Sequence, residues 1–327
     1  MTLIASTGMQ TLAHQAWFTD ERPPWEFDFL VEPLTLFSIG VAALIAIGWR
    51  IAGDRSPTPE LPLLRRVGDL APWIPRLLGI HAGVSLIAQA YAGTFLAPSL
   101  ELPETLVGTL LAILEGVIGV WLVSGWKVRP AAWLLVSAGP LGMAAYGIVP
   151  ILERVDLLAV AAFLALVPPS ANDHGAVDIS PESLKVPLFV LRLMAGSGLI
   201  VLAVTEKLAR PALAEVLIDD YPFLNIVQLV GIQLPDIEFI RFAGSVELLL
   251  GLLVISGAMP QVAVVAAGIP FNATLFFFGA SELVGHLPMY GVMLALIAYG
   301  SHPTYAPIVP WIPTRPARDA ERLAERL

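Results

Sequence analysis

About nine apolar runs, most of them close to the roughly 17–25 residues that cross a bilayer, take up most of this chain. The pattern predicts spans near 31–51, 76–97, 106–125, 130–149, 155–167, 186–208, 242–257, 262–279 and 283–299. The fifth is short, so it is expected to extend through Glu153 and past Pro168. Soluble domains are roughly 45–50% apolar and about 25% charged. Here 57% of residues are hydrophobic and 14% charged, with a mean hydropathy of +0.77. One aqueous core has no room for that much apolar surface, so the outside of the molecule should face lipid. The expected fold is an all-α polytopic membrane protein.

Arginine and lysine placement sets the expected orientation. Arg50, Arg55, Arg65, Arg66 and Arg76 lie between or beside the first two spans. Alternate loops then hold Lys127, Arg129 and Lys185, and the tail holds Arg315, Arg318, Arg322 and Arg326. Arg22, Arg154, Lys207, Arg210 and Arg241 lie on the other side among many acids. The expectation is a multi-pass protein of the cytoplasmic membrane, with the N-terminus outside and the C-terminus in the cytoplasm. The stretch MTLIASTGMQTLAHQAWF has no basic start and no clean apolar core, so no cleaved signal is expected. Trp17, Phe18, Trp25, Phe27 and Phe29 form an expected interfacial belt, and 209–240 an expected re-entrant or interface-lying segment.

An internal repeat emerges next. AILEGVIGVWLVSGW matches GSVELLLGLLVISGA, laying Ala112, Glu115, Gly119, Ser124 and Gly125 on Gly244, Glu247, Gly251, Ser256 and Gly257. Gly139, Ala144 and Glu153 match Gly268, Ala273 and Glu282 at nearly the same shift, and Arg76 resembles Arg192. The reading is two parallel four-helix repeats plus one N-terminal helix. The expected divisions are an outer N-terminus (1–30), an extra helix and cytoplasmic segment (31–75), a first unit (76–168), a cytoplasmic linker (169–185), a second unit (186–301) and a cytoplasmic tail (302–327).

A charge at mid-membrane costs about 2.5–3.5 kcal/mol on insertion scales, so Glu115 and Glu247 need partners or protons. Each has a small residue three positions before it and a glycine four after, which puts the acid on a close-packing stripe. Such a group could carry protons, bond a quinone-like headgroup or bind an ion. It could equally be an interhelical hydrogen bond or ion pair with no ligand. In the second unit Arg192, Glu206, Lys207, Arg241, Glu247, Asn272, Glu282 and His286 are candidate ligand-binding residues, several of them lining one outward polar pocket. The alternative is a belt of salt bridges snorkelling to water. The pseudo-equivalent residues of the first unit are Arg76, Glu115 and Glu153; Ala90 and Tyr91 fall opposite Glu206 and Lys207, so the second unit is the better candidate for activity.

The chain has no cysteine, which excludes thiolate and cysteine-ligated iron–sulfur chemistry within it. Its net charge of −9 argues against nucleic-acid binding. His81 and His286 are expected at opposite membrane faces, and His14, His174 and His302 in loops or tails, so neither haem nor a metal is expected. No phosphate loop or nucleophile elbow is present, and the catalytic residues are unknown.

The segment LRLMAGSGLIVLAVTEKLARP, followed by FAGSVELLLGLLVISG and SELVGHLP, resembles the DoxX/DoxD-type membrane protein family. Arg192, Gly196, Lys207, Pro211, Glu247, Gly251 and Gly257 carry the match, over about 110 residues of the second unit and more loosely in the first. The resemblance implies a four-helix membrane unit and links to thiosulfate:quinone oxidoreduction or membrane redox complexes. It makes a quinone the expected ligand and a partner oxidoreductase the expected protein partner, with sulfur chemistry residing in that partner. A small-solute transporter or channel, and a scaffold without ligand, remain alternatives.

Overall fold

Proline and glycine punctuate the chain, and the helices of the computed structural model begin and end on them. The structure describes residues 23–168, 174–229, 231–278 and 280–313, without the side chains of 229, 277, 278 and 280–282. Helices α1 (Phe27–Val31) and α2 (Pro33–Gly53) lead into a 3-10 helix, Pro62–Trp73, and α3 (Ile74–Ala92). A small antiparallel hairpin follows, β1 (Thr94–Phe95) with β2 (Ala97–Glu101). Then come α4 (Leu106–Ser124), α5 (Val128–Tyr146), α6 (Ile148–Leu152) and α7 (Val155–Leu166). Helix α8 (Pro181–Leu202) continues through a π-helical stretch, Ala203–Leu208. The rest is α9 (Pro211–Asp220), α10 (Ile226–Leu229), α11 (Asp236–Ser256), α12 (Pro260–Phe278) and α13 (Ala280–Ser301).

Local chemistry explains these bounds. Thr105 and Ser180 cap α4 and α8 by accepting from the amides of Gly108 and Ser183. Pro33, Pro75, Pro181 and Pro211 sit in first turns, where no amide is missed. Gly125 (φ 77) and Gly257 (φ 63) end α4 and α11 in the left-handed conformation that a side chain would strain.

Among the described residues, six helical stretches are long and apolar enough to cross a membrane: Pro33–Gly53, Pro62–Ala92, Leu106–Ser124, Pro181–Leu208, Asp236–Ser256 and Leu283–Ser301. Outward residues such as Leu44 (69% exposed) and Phe276 (84%) suit lipid rather than water. The molecule is a polytopic membrane protein.

Two helix pairs meet at glycines. A Cβ on Gly83 would lie 2.6 Å from the carbonyl oxygen of Gly119, and one on Gly196 2.5 Å from that of Gly251. Val123 fills the space beside Gly83, and Ile255 that beside Gly196. Only glycine lets backbones approach so closely. Thus α3 packs on α4, and α8 on α11. Two further long contacts join these pairs, because α7 packs mainly on α8 and α13 mainly on α3. Helix α2 lies against α11.

Alternate helix ends gather on one face. Trp49 Nε1 donates to Ala258 O at 2.8 Å, Arg50 to Ser256 O at 3.0 Å, and Arg129 Nε to Ala165 O at 2.8 Å. This face carries Arg50, Arg76, Lys127, Arg129 and Lys185, and is called the basic face below.

Several expected boundaries shift. The second span ends at Ala92 rather than Ala97, because Gly93 (φ 76) turns the chain into the hairpin. The fifth is shorter, not longer. It starts at Val155 after a break at Glu153–Arg154 and ends at Leu166, so neither Glu153 nor Pro168 joins it. The seventh begins at Asp236, so Arg241 lies inside α11. Residues 62–73, part of the expected cytoplasmic segment, form a 3-10 helix that seats Gly68 on Ser301 and His302. Of the expected aromatic belt, Trp25 stacks on Phe27 while Phe29 is buried; Trp17 and Phe18 fall outside the described residues.

Candidate functional site

The π-helical stretch after α8 adds one residue per turn and rotates Thr205, Glu206 and Lys207 into the bundle. Lys207 Nζ meets Glu247 Oε2 at 2.8 Å. Two residues before it, Thr205 Oγ1 donates to Glu153 Oε1 at 2.8 Å, joining α8 to the break before α7. Glu206, between them, is buried at 2% exposure.

Arg154 occupies the same seam and is 1% exposed. Its Nε donates to Leu96 O at 3.0 Å and its Nη2 to Gly285 O at 3.1 Å, while Nη1 lies 3.7 Å from Asp156 Oδ1. Leu96 takes a left-handed backbone (φ 59), which turns its amide toward Glu115. That amide donates to Glu115 Oε1 at 2.9 Å. Glu115 Oε2 is buried and accepts no hydrogen bond among the described residues. Leu96 therefore bridges a buried carboxylate and a buried guanidinium with its own amide and carbonyl. Buried polar atoms persist when hydrogen-bonded in this way.

Glu115 and Glu247 each lie nine residues before the last residue of their helices, Ser124 and Ser256. At 1.5 Å per residue they sit about 14 Å from the basic-face helix ends. Their partners differ: a backbone amide for Glu115 and an ammonium for Glu247.

The expected single pocket in the second unit is instead divided. Glu206, Lys207 and Glu247 do come together. Arg241 is held elsewhere, against α1 and α2, by Glu32 at 2.8 Å, Glu238 at 3.1 Å, the Thr35 hydroxyl and the Phe29 ring at 4.2 Å. It lies less than two turns from Glu247, yet it points at the N-terminal helices. Arg192 is at the basic face, donating to Trp311 O beside Gly257. Arg76 is also there, donating to Leu122 O at 3.1 Å and to Val123 O. The two arginines are not in register, since Arg76 precedes Gly83 by seven residues and Arg192 precedes Gly196 by four. Both nonetheless reach the glycine that ends the neighbouring helix.

Asn272 and His286 form a further group around Phe271. The His286 ring is buried 4.9 Å from the Phe271 ring, and Tyr290 OH donates to Phe271 O at 3.1 Å. Asn272 Nδ2 donates to Gly268 O at 2.7 Å, and its side chain looks into an open groove of about 540 Å³ between α12 and α13. The Glu282 side chain lies outside the described residues. Among those residues no three His, Asp or Glu side chains cluster to hold a metal.

Sequence reading missed Leu96, Arg154, Asp156, Thr205 and Tyr290. The run Glu153-Arg154-Val155-Asp156 reads in the sequence as the charged outer end of an extended fifth span. Its signal was charge density beside a span too short to cross alone. Comparison with known proteins adds no identity: no protein-family model, curated protein or solved structure matches the chain.

Proposed function

We propose that this chain is a tandem-duplicated DoxX/DoxD-type membrane protein of about nine spans, which holds a quinone-class ligand for a partner oxidoreductase. The two glycine crossings support the duplication, with Gly83 and Gly119 in the roles of Gly196 and Gly251. In that register Gly93 and Thr94, rather than Ala90 and Tyr91, correspond to Glu206 and Lys207. The exchanged packing of α7 and α13 agrees with a pseudo-dimer whose copies trade their fourth helices. The family reading is supported by contacts among the residues that carry the resemblance: Gly196 with Gly251, Lys207 with Glu247, and Arg192 with Gly257. With the basic face inward, the N-terminus lies outside the cytoplasmic membrane.

One observation carries the ligand reading. Asn272 is twelve residues from the start of α12 and Tyr290 eleven from the end of α13, both ends being at the basic face. An amide and a phenol thus reach one groove at the same depth, about 16–18 Å into the bundle. Val265, Ile269, Met293 and Ile297 make its walls apolar. An amide turned toward hydrocarbon is costly unless a ligand completes its hydrogen bonds. A quinone offers carbonyl acceptors to Asn272 and an apolar tail to the walls. With no cysteine in the chain, electrons and any sulfur chemistry come from the partner.

The test is photo-crosslinking with an azido-quinone in nanodiscs, competed by decylubiquinone. Labelling should fall on α12 and α13, and Asn272→Leu should weaken competition about tenfold, the equivalent of about 1.4 kcal/mol. Labelling spread over all lipid-facing helices, unchanged in Asn272→Leu, would defeat the quinone reading.

A further inference from the structure

Besides the groove, the basic face holds a second cavity, of about 300 Å³, at the start of α3 and α5. Its charged lining residues are all cations: Arg76, Lys127 and Arg129. The remaining lining is apolar, including Leu164, Val167 and Val177, and among the described residues no carboxylate takes part. This is notable in a chain whose net charge is −9.

Helix dipoles sharpen the imbalance. Arg76 lies in the first turn of α3, while Lys127 and Arg129 flank the first residue of α5. Neither first turn contains an acid. Cations at helix N-termini face the positive end of the dipole, the unfavourable arrangement. Part of the charge is absorbed, because Arg76 caps the carbonyls of Leu122 and Val123, and Arg129 Nε caps Ala165. Among the described residues Lys127 meets the Trp126 ring, 5.2 Å from Nζ. Three cations converging on one cavity, beside the N-terminus of α5, make a site for a phosphate-type anion.

We propose that this cavity binds the phosphate headgroup of an anionic phospholipid. The source of the phosphate is argued from its surroundings. Trp126 (56% exposed) and Trp133 (52%) stand on the outer surface beside the cavity. Exposed tryptophan of this kind marks the depth of lipid headgroups. A phosphodiester there reaches the cations while its acyl chains run down the apolar face of α5. The proposal does not depend on the quinone reading.

The experiment uses the full chain in nanodiscs of equal phosphatidylglycerol and phosphatidylcholine. Native mass spectrometry counts retained lipids, and thermal unfolding is followed in neutral detergent with added phosphatidylglycerol. The wild type should retain phosphatidylglycerol selectively and gain melting temperature from it. Lys127→Gln should weaken that retention about fivefold and Lys127→Gln/Arg129→Gln further, since each basic side chain near a headgroup contributes about one such factor. Lys127→Gln removes no hydrogen bond among the described residues, so it keeps the test valid if the double variant misfolds. Arg65→Gln/Arg66→Gln, exposed on the same face, should retain lipid like the wild type. Equal retention in Lys127→Gln and wild type overturns the proposal. Inorganic phosphate alone giving the whole thermal shift would also overturn it, by making the occupant a soluble anion.

Discussion

Lys207 and Glu247 face each other at 2.8 Å, the one on a π-helical stretch and the other in mid-α11. Neither side chain is more than about a fifth exposed. Removing one partner of a buried pair strands a charge, at a cost of about 3–5 kcal/mol. Glu247→Gln should therefore destabilise the bundle by about 3 kcal/mol, somewhat less than the buried limit would suggest at greater exposure. Lys207→Met/Glu247→Leu should recover much of the loss. A double-mutant cycle on unfolding in detergent measures the coupling, and a coupling near zero would rule out a stabilising pair.

The glycine crossings make a paired prediction. Gly119→Ala and Gly251→Ala each put a Cβ inside the contact distance of a carbonyl oxygen, 2.8 Å from Gly83 O and 2.6 Å from Gly196 O. Each should cost about 1–3 kcal/mol through overpacking. Gly40→Ala in α2 meets nothing within 4 Å and should be neutral or slightly stabilising. Melting temperatures of the three variants in one detergent decide the matter. A strong effect at Gly251 with none at Gly119 would count against equivalent crossings.

Arg241 fastens the N-terminal helices to α11 through Glu32, Thr35 and Phe29. Hydrogen bonds to charged groups contribute about 1.5–3 kcal/mol each. Arg241→Gln should loosen α1 and the start of α2 while leaving the α8–α11 crossing intact. Limited proteolysis reports this as faster cleavage around 23–33, with the remaining fragment stable. An unchanged cleavage rate would show that packing of α2 alone holds the segment.

Glu60, on the basic-face loop outside the spans, should give a pH signature. Burial raises its pKa above the ordinary 4.5, partly offset by the Gln261 amide that donates to it. A raised folded-state value means that the folded chain holds this proton more tightly than the unfolded chain. Stability from this group is therefore present at low pH and is lost as pH rises from about 4.5 through the raised value. Glu60→Gln keeps an acceptor for the Gln261 amide and should flatten that dependence, with the larger gain at neutral pH. Unfolding of both proteins from pH 4 to 8 tests it; parallel curves would exclude Glu60 as the source.

Much of the molecule was legible in the sequence because lipid imposes a one-dimensional rule. A span must satisfy its backbone internally and be apolar along its length, so composition and spacing reveal it. The long helices, the glycines at their ends and the gathering of basic residues on one face all follow from that. So does the placement of Glu115 and Glu247 at the same distance from their helix ends. What each charge touches was decided in three dimensions. Arg241 and Glu247 lie on one helix less than two turns apart, yet one turns to α2 and the other to Lys207. The sequence places Arg154 on the outer side among other charges, and only the packing of α7 beside α13 encloses it. Helix pairing depends on close fits such as Gly83 on Gly119, and sequence spacing carries the small residue but not the identity of the surface it meets.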